Sequence, residues 1–207
     1  GARTVGDGGT LALSPDGRVM ATDSESQQVR MFRLAQREEL QTNSQASQAI
    51  AFGRNSRLFV AAAAPQPVSG RISIFDLPNG KLLNVLTDPQ GRAGWGLASA
   101  NNFLAVTAER SVLLFELSHA APQVELSGQG DNLRSVALRS DGKLLASGGS
   151  DGSVLLFSVA DRKLVAKLTG HTQSVLALAF SPTQPLLASA SADWLVRLWD
   201  VDSHKML

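Results

Sequence analysis

The chain has 207 residues, with 19 basic and 18 acidic side chains, a net charge of +1 and no cysteine. Its length fits a single all-β domain, and the near cancellation of charge, without a block of like charge, argues against direct nucleic-acid binding through phosphate contacts. The lack of cysteine excludes disulfides and thiolate metal sites, and no run approaches the ~20 apolar residues that membrane insertion requires.

Aromatic residues recur along the chain at a nearly constant spacing. Five of them are separated by 43, 40, 42 and 42 residues. A period of this size indicates a repeat architecture in which each repeat is one structural unit. The aromatic residues are Phe32, Phe75, Phe115, Phe157 and Trp199, and they divide one domain, 1–207, into repeats at about 1–42, 43–87, 88–127, 128–168 and 169–207.

Within each repeat, short segments of alternating apolar and polar residues lie between turn residues, which predicts antiparallel strands. The turns at 14–17, 140–142 and 150–152 combine Ser, Asp and Gly, which supply a side-chain acceptor and a residue free to adopt positive φ. In the fourth repeat we expect strands at 133–138, 143–147, 154–157 and 163–168. In the fifth, we expect them at about 175–180, 186–189 and 195–199, with a fourth beginning near Lys205.

The fifth repeat opens with Gly170-His171 and closes with Trp199-Asp200. Two alternating segments and a turn separate these dipeptides. The segment resembles the Trp-Asp (WD) repeat family, whose units of ~40 to 45 residues are blades of a propeller. The resemblance implies an all-β fold, a β-propeller of four-stranded antiparallel blades, with five repeats visible here and seven blades commonest in the family.

The resemblance also implies a buried hydrogen-bond network in the fifth repeat, formed by His171, Ser189, Asp193 and Trp199. A buried indole N–H needs an acceptor, which such a network supplies. Ser, His and Asp are also the components of a hydrolase triad, but only geometry identifies a triad, and the structural role is the one we predict. The other repeats have Phe in place of Trp199, so apolar burial should stabilise their blades.

Two features are candidate partner contacts. The second repeat has an insertion before its third strand, at Pro65, Gln66, Pro67 and Val68, which is either a tolerated surface loop or part of a contact. Two tryptophans lie outside the repeat's own Trp position. Trp194 is either an interface anchor or packs within its blade, and Trp95 is either a contact or fills space at the central channel.

Alignment of the repeats places Gly1 and Ala2 at the tail of a fourth strand, and 205–207 at the beginning of another. We therefore expect a fragment of a larger propeller, with a complete five-bladed ring as the alternative.

The predicted function is a non-enzymatic scaffold that binds other proteins or peptides within a multiprotein complex, without cofactor, catalytic or metal site. A hydrolase is disfavoured because the positions expected to line the channel carry no ionisable side chain. A component of a ribonucleoprotein or nucleic-acid-associated assembly, and a sensor domain fused to an effector, are the alternatives. We expect a cytoplasmic location, with a nuclear one as the alternative. The expected channel positions are Thr10, Ala49, Trp95, Ser135 and Ala177.

Overall fold

Every regular element of the described chain is a β-strand. The structure is a computed structural model, and it describes residues 2–4, 10–23, 29–40, 49–53, 57–62, 70–76, 81–88, 90–92, 96–117, 124–127 and 131–207. Within these ranges 21 strands form five antiparallel sheets, each built from strands consecutive in sequence, and no helix is present. The predicted all-β class is confirmed.

The chain divides into two compact units, and the first contains two sheets. The first sheet consists of β1 (Ala2–Thr4), β2 (Thr10–Leu13), β3 (Val19–Asp23), β4 (Val29–Arg33) and β5 (Glu38–Leu40). The second consists of β6 (Ala49–Gly53), β7 (Arg57–Ala62), β8 (Arg71–Asp76) and β9 (Leu82–Thr87). Their shared core contains Ala12, Val19, Ala21, Val29, Met31, Leu40, Ile50 and Phe75.

The other unit contains three four-stranded sheets. The third sheet consists of β10 (Leu97–Ala100), β11 (Phe103–Ala108), β12 (Ser111–Glu116) and β13 (Val124–Ser127). The fourth consists of β14 (Leu133–Leu138), β15 (Leu144–Gly149), β16 (Val154–Ser158) and β17 (Lys163–Leu168). The fifth consists of β18 (Val175–Phe180), β19 (Leu186–Ser191), β20 (Val196–Asp200) and β21 (Lys205–Met206). One buried cluster joins the third sheet to the fourth, and another joins the fourth to the fifth.

These sheets bury their cores because the alternating sequence places apolar side chains on the faces that meet. The fourth and fifth sheets repeat the same register 42 residues apart, so Leu145 pairs with Phe157 as Leu187 pairs with Trp199. All four of these side chains are buried. The strands predicted in these two repeats agree with the observed ones to within about two residues at each end.

The turns have the chemistry that the sequence predicted. Gly17, Gly142 and Gly152 have φ of 68°, 72° and 82°, a left-handed conformation that glycine adopts without steric cost. In the first turn the Ser14 hydroxyl donates to Asp16 Oδ1 at 2.6 Å, and the backbone N–H of Gly17 donates to the Ser14 carbonyl. Side-chain and backbone bonds therefore close the turn together.

The first sheet differs from the predicted four-stranded blade because it contains a fifth strand. β1 pairs antiparallel with β2, with Ala2 opposite Ala12. We expected Ala2 in the last strand of a preceding repeat, whereas it pairs within the first sheet; Gly1 lies outside the described residues. A partner only a few residues away closes a short loop at low entropic cost.

Candidate interaction surface

The fifth sheet brings together the four residues of the predicted network. His171 precedes β18, Ser189 lies on β19, Asp193 is in the turn after β19, and Trp199 lies on β20. His171 Nδ1 is 2.8 Å from Asp193 Oδ2, and His171 Nε2 is 2.8 Å from Ser189 Oγ. The Trp199 indole N–H donates to Ser189 Oγ at 2.8 Å. Side chains therefore link two strands, the turn after β19 and the segment before β18 within one sheet.

The hydrogen-bond directions in this network assign one tautomer to His171. The Ser189 hydroxyl accepts from Trp199, so its own proton is directed to Nε2, which accepts it. Nδ1 then carries the ring proton and donates to Asp193. In this arrangement the His171 ring proton, the Ser189 hydroxyl and the Trp199 indole N–H each have an acceptor, as a buried polar cluster requires.

The carboxylate of Asp193 is the charged end of the network. Burial alone would raise its pKa, but hydrogen bonds from the His171 ring and from the backbone N–H groups of Thr172 and Leu195 lower the pKa to about 2. The Arg197 guanidinium lies 3.4 Å from the same carboxylate. Arg197 was not predicted as part of the network, although strand alternation places it on the same face of β20 as Trp199, two residues earlier.

Ser189, His171 and Asp193 have the distances of a catalytic triad, but their surroundings differ from those of one. The Ser189 residue is 1% exposed, and the His171 side chain is fully buried. The nucleophile of a triad must be open to a substrate carbonyl, whereas the Ser189 hydroxyl is enclosed and bonded to Trp199. This geometry favours the structural role, which remains a prediction for mutagenesis.

The fourth sheet contains the same serine position without the rest of the network. Ser147, which corresponds to Ser189, is fully buried, and its hydroxyl has no hydrogen-bond partner among the described residues. Phe157 occupies the position of Trp199 and offers no N–H. In the third sheet the corresponding Thr107 hydroxyl accepts the backbone N–H of Gly96 at 2.9 Å. Among the described residues, the linked network of side chains is therefore seen only in the fifth sheet.

The turn after β19 presents Trp194 to solvent. The residue is 95% exposed and has a left-handed backbone, with φ of 67°. Its equivalent in the fourth sheet, 42 residues earlier, is Gly152 with φ of 82°. The indole is therefore exposed and not packed within its blade in this structure, and its role as an interface anchor stays a prediction. The backbone conformation could have been predicted from the alignment with Gly152.

Hydrogen bonds fix this turn in place. Asp193 Oδ1 accepts the backbone N–H of Leu195 at 3.0 Å, and the Ala192 N–H donates to the Ser174 carbonyl at 2.9 Å. The Ser191 hydroxyl donates to the Gln173 carbonyl at 2.9 Å. Trp194 therefore stands on a turn that is bonded both internally and to the preceding loop.

The remaining predicted contact residues lie outside the described part of the chain. Trp95, Pro65, Gln66, Pro67 and Val68 lie outside the described residues. Ser135, expected at the channel, is buried, and its hydroxyl donates to the Val175 carbonyl at 2.9 Å. The hydroxyl of Ser135 therefore links β14 to the neighbouring strand β18, and its place at the channel stays a prediction.

A buried ion pair after β9 was also not predicted from the sequence. Asp88 Oδ2 accepts both the backbone N–H and the Nε–H of Arg92 at 2.9 Å, and the two side chains are only 2% and 14% exposed. Burial would raise the pKa of Asp88, but these bonds lower it. Elsewhere in the described ranges, no group of three His, Cys, Asp or Glu residues could hold a metal ion, and no helix is long and apolar enough to cross a bilayer.

Comparison with known proteins identifies the family of two of the repeats. The family model "WD domain, G-beta repeat" matches residues 121–158 and 162–200. The fourth and fifth repeats are WD repeats. The resemblance found in the fifth repeat is therefore confirmed, and the family model extends it to the fourth. No curated protein sequence matches the chain.

The fold of this WD-repeat chain is that of solved propellers. A chain in "Crystal Structure of Mitotic Checkpoint Complex" is similar with a TM-score of 0.82 at 21% sequence identity. The similarity covers 95% of the WD-repeat chain and 61% of the other chain. In all, 1697 solved chains match. At this identity the likeness establishes the fold, and the predicted β-propeller class is confirmed.

Proposed function

We propose that this WD-repeat protein is a non-enzymatic scaffold that binds other proteins or peptides within a multiprotein complex. WD repeats generally mediate protein–protein interaction. The observation that carries the proposal for this chain is Trp194, a fully exposed aromatic residue on a backbone that disfavours it. Tryptophan is among the residues most enriched in interface hot spots.

Two energetic disadvantages at Trp194 support a binding role. A left-handed backbone destabilises a residue that has a Cβ by about 1–2 kcal/mol, and the fourth repeat avoids this by using Gly152. The exposed indole contributes no burial to the fold in return, since 95% of the residue is open to solvent. A feature that destabilises the free protein is expected at functional sites, where a partner compensates for it.

The rigid turn makes Trp194 an effective anchor. Bonds from Ala192 to Ser174 and from Leu195 to Asp193 hold the turn before any partner arrives. A group fixed in its bound position loses less conformational entropy on binding. We therefore expect the Trp194 indole to enter an apolar pocket on the surface of the partner.

A comparative capture experiment tests the proposal. The immobilised chain, its Trp194→Asn variant and a Leu164→Asn control are exposed to an extract of the cells that make the protein, and the bound proteins are quantified by mass spectrometry. Asparagine tolerates the left-handed backbone, and Leu164 is an exposed apolar residue on β17. We expect proteins that bind the wild type and the control to be lost with Trp194→Asn. An identical set on all three would refute Trp194 as the anchor.

A further inference from the structure

The outer strand of the fourth sheet contains one residue more than its neighbour can pair with. Leu164 of β17 lies opposite Phe157 of β16, and the next pair joins Ala166 to Leu156. Val165, which stands between Leu164 and Ala166, has no opposite residue, so the ladder has a β-bulge at this point. A bulge of this kind bends its strand and increases the local twist.

The outer strand of the second sheet has the same bulge, 82 residues earlier in the sequence. Leu82 of β9 lies opposite Phe75 of β8, and the next pair joins Asn84 to Ile74. Leu83 is therefore the additional residue here, at the position equivalent to the bulge of β17. An irregularity that recurs at one place in two repeats indicates a structural role and not a local defect.

Both bulged strands are edge strands. β9 and β17 are the last strands of their sheets, and within the described ranges no strand pairs with their outer sides. Each has six residues, and an edge of this length presents a row of backbone N–H and C=O groups to which another strand could bind. The edges are also apolar, because each carries two adjacent exposed aliphatic side chains, Leu82 and Leu83 in β9 and Leu164 and Val165 in β17. Long apolar edges are sites at which separate chains pair and aggregate.

The outer strand of the first sheet has no bulge at the equivalent place. Glu39 of β5 lies opposite Phe32, and Leu40 lies opposite Met31, so the described ladder is regular. β5 has only three residues, and it carries the charged Glu39 where β9 and β17 carry leucine. A short edge with a charged side chain resists pairing without a bulge. Among these three described edges, the bulge is found where the strand is long and apolar and is absent where the strand is short and charged.

We propose that the bulges at Leu83 and Val165 protect the outer edges of the second and fourth sheets from pairing with a strand of another copy of this chain. The additional residue interrupts the spacing of the backbone groups, so an incoming regular strand cannot match the edge. Lys163, at the beginning of β17, and Lys81, directly before β9, are exposed and add charge to the same edges, as lysine commonly does in edge strands. This role does not involve Trp194, so it is independent of the proposed partner contact.

Deletion of the additional residue tests the proposal. Without Val165, the remaining pairs between β16 and β17 form one continuous ladder, so the deletion makes the edge regular and removes no pair. By sedimentation velocity, we expect the self-association of this variant to be at least about tenfold tighter than that of the wild type. Deletion of Leu83 should have the same effect through the second sheet. Val165→Ala is the matched control: it keeps the bulge, shortens the same side chain and should behave as the wild type.

A charge should reverse the effect of the deletion, because the first sheet has a charged residue on its regular edge. The Val165 deletion combined with Leu164→Glu should therefore associate no more than the wild type. Wild-type association of either deletion variant would overturn the proposal, as would association that persists with glutamate, since the contact would then lie elsewhere. Circular dichroism shows whether the sheets remain folded. Unfolding of either deletion variant would also overturn the proposal, because it would show that the bulge is needed for the fold itself.

Discussion

The indole N–H of Trp199 donates to Ser189 Oγ at 2.8 Å, while the corresponding Phe157 leaves Ser147 without a hydrogen-bond partner among the described residues. The two serines lie 42 residues apart in sheets of the same register, and both are buried. One structure therefore contains a satisfied and an unsatisfied copy of the same position.

The first prediction uses this matched pair. Ser189→Ala should lower the free energy of unfolding by about 1–3 kcal/mol, because the Trp199 N–H and His171 Nε2 lose their partner in a buried site. Ser147→Ala should leave stability unchanged or raise it by about 1 kcal/mol, because a buried hydroxyl without a partner is removed. Urea denaturation measures both. Equal losses for the two variants would contradict the assigned roles.

The second prediction concerns the pH dependence of stability. The pKa of Asp193 is lowered to about 2 in the folded chain, so its carboxylate stabilises the fold above its ordinary pKa of 3.8, and this contribution is lost as pH falls from about 4 towards 2. The melting temperature of the wild type should therefore fall more steeply over this interval than that of Asp193→Asn.

The same network predicts that His171→Ala and Asp193→Ala both melt below the wild type at neutral pH, since each leaves buried partners unpaired. Differential scanning calorimetry measures this. Unchanged melting of both variants would show that the network does not stabilise the fold.

The third prediction concerns the backbone at Trp194. Trp194→Gly should raise the free energy of unfolding by up to about 1 kcal/mol, because glycine relieves the left-handed strain, partly offset by the greater freedom of the unfolded chain. Chemical denaturation of this variant, compared with Trp194→Ala, isolates the backbone effect, because alanine keeps the Cβ. If alanine stabilises as much as glycine, strain is not the cause.

The fourth prediction compares a buried ion pair with an exposed one. Arg92→Ala removes the guanidinium from the buried Asp88 carboxylate, which keeps its backbone N–H donor, so the loss should be about 3 kcal/mol, the lower end for broken buried pairs. Arg30→Ala, which breaks the exposed Arg30–Glu39 pair, should be much less destabilising. Urea denaturation of the two variants gives the comparison, and equal losses would show that burial does not strengthen the Asp88 pair.

The strands were predictable from the sequence because alternation and turn chemistry act locally. The fifth repeat contains both, and its first strand was predicted at 175–180, where the structure has β18. The pairing of β1 with β2 was not predictable in this way. Which neighbour a short terminal segment selects depends on the sheet available to it, and alternation does not encode that choice.

The residues of the candidate site could be predicted from the sequence, whereas their burial and their hydrogen-bond partners could be predicted less well. His171, Ser189, Asp193 and Trp199 could be named from the repeat, but the orphaned hydroxyl of Ser147 depends on burial that no spacing reveals. The pairing of Asp88 with Arg92 has no repeat signature, because the acceptors and donors of a loop are set by its conformation.

The meeting of β15 and β18 has a consequence for motion. A side chain at Gly148 would place a Cβ 2.6 Å from Val175 Cγ1, and the Ser135 hydroxyl is bonded to the Val175 carbonyl beside it. If the fourth sheet slid by two residues along its strands, Ala146 or Ser150 would take the place of Gly148 beside Val175. Each of these residues has a Cβ, for which that position has no room. The close contact of Gly148 with Val175 therefore opposes sliding of the fourth sheet against the fifth.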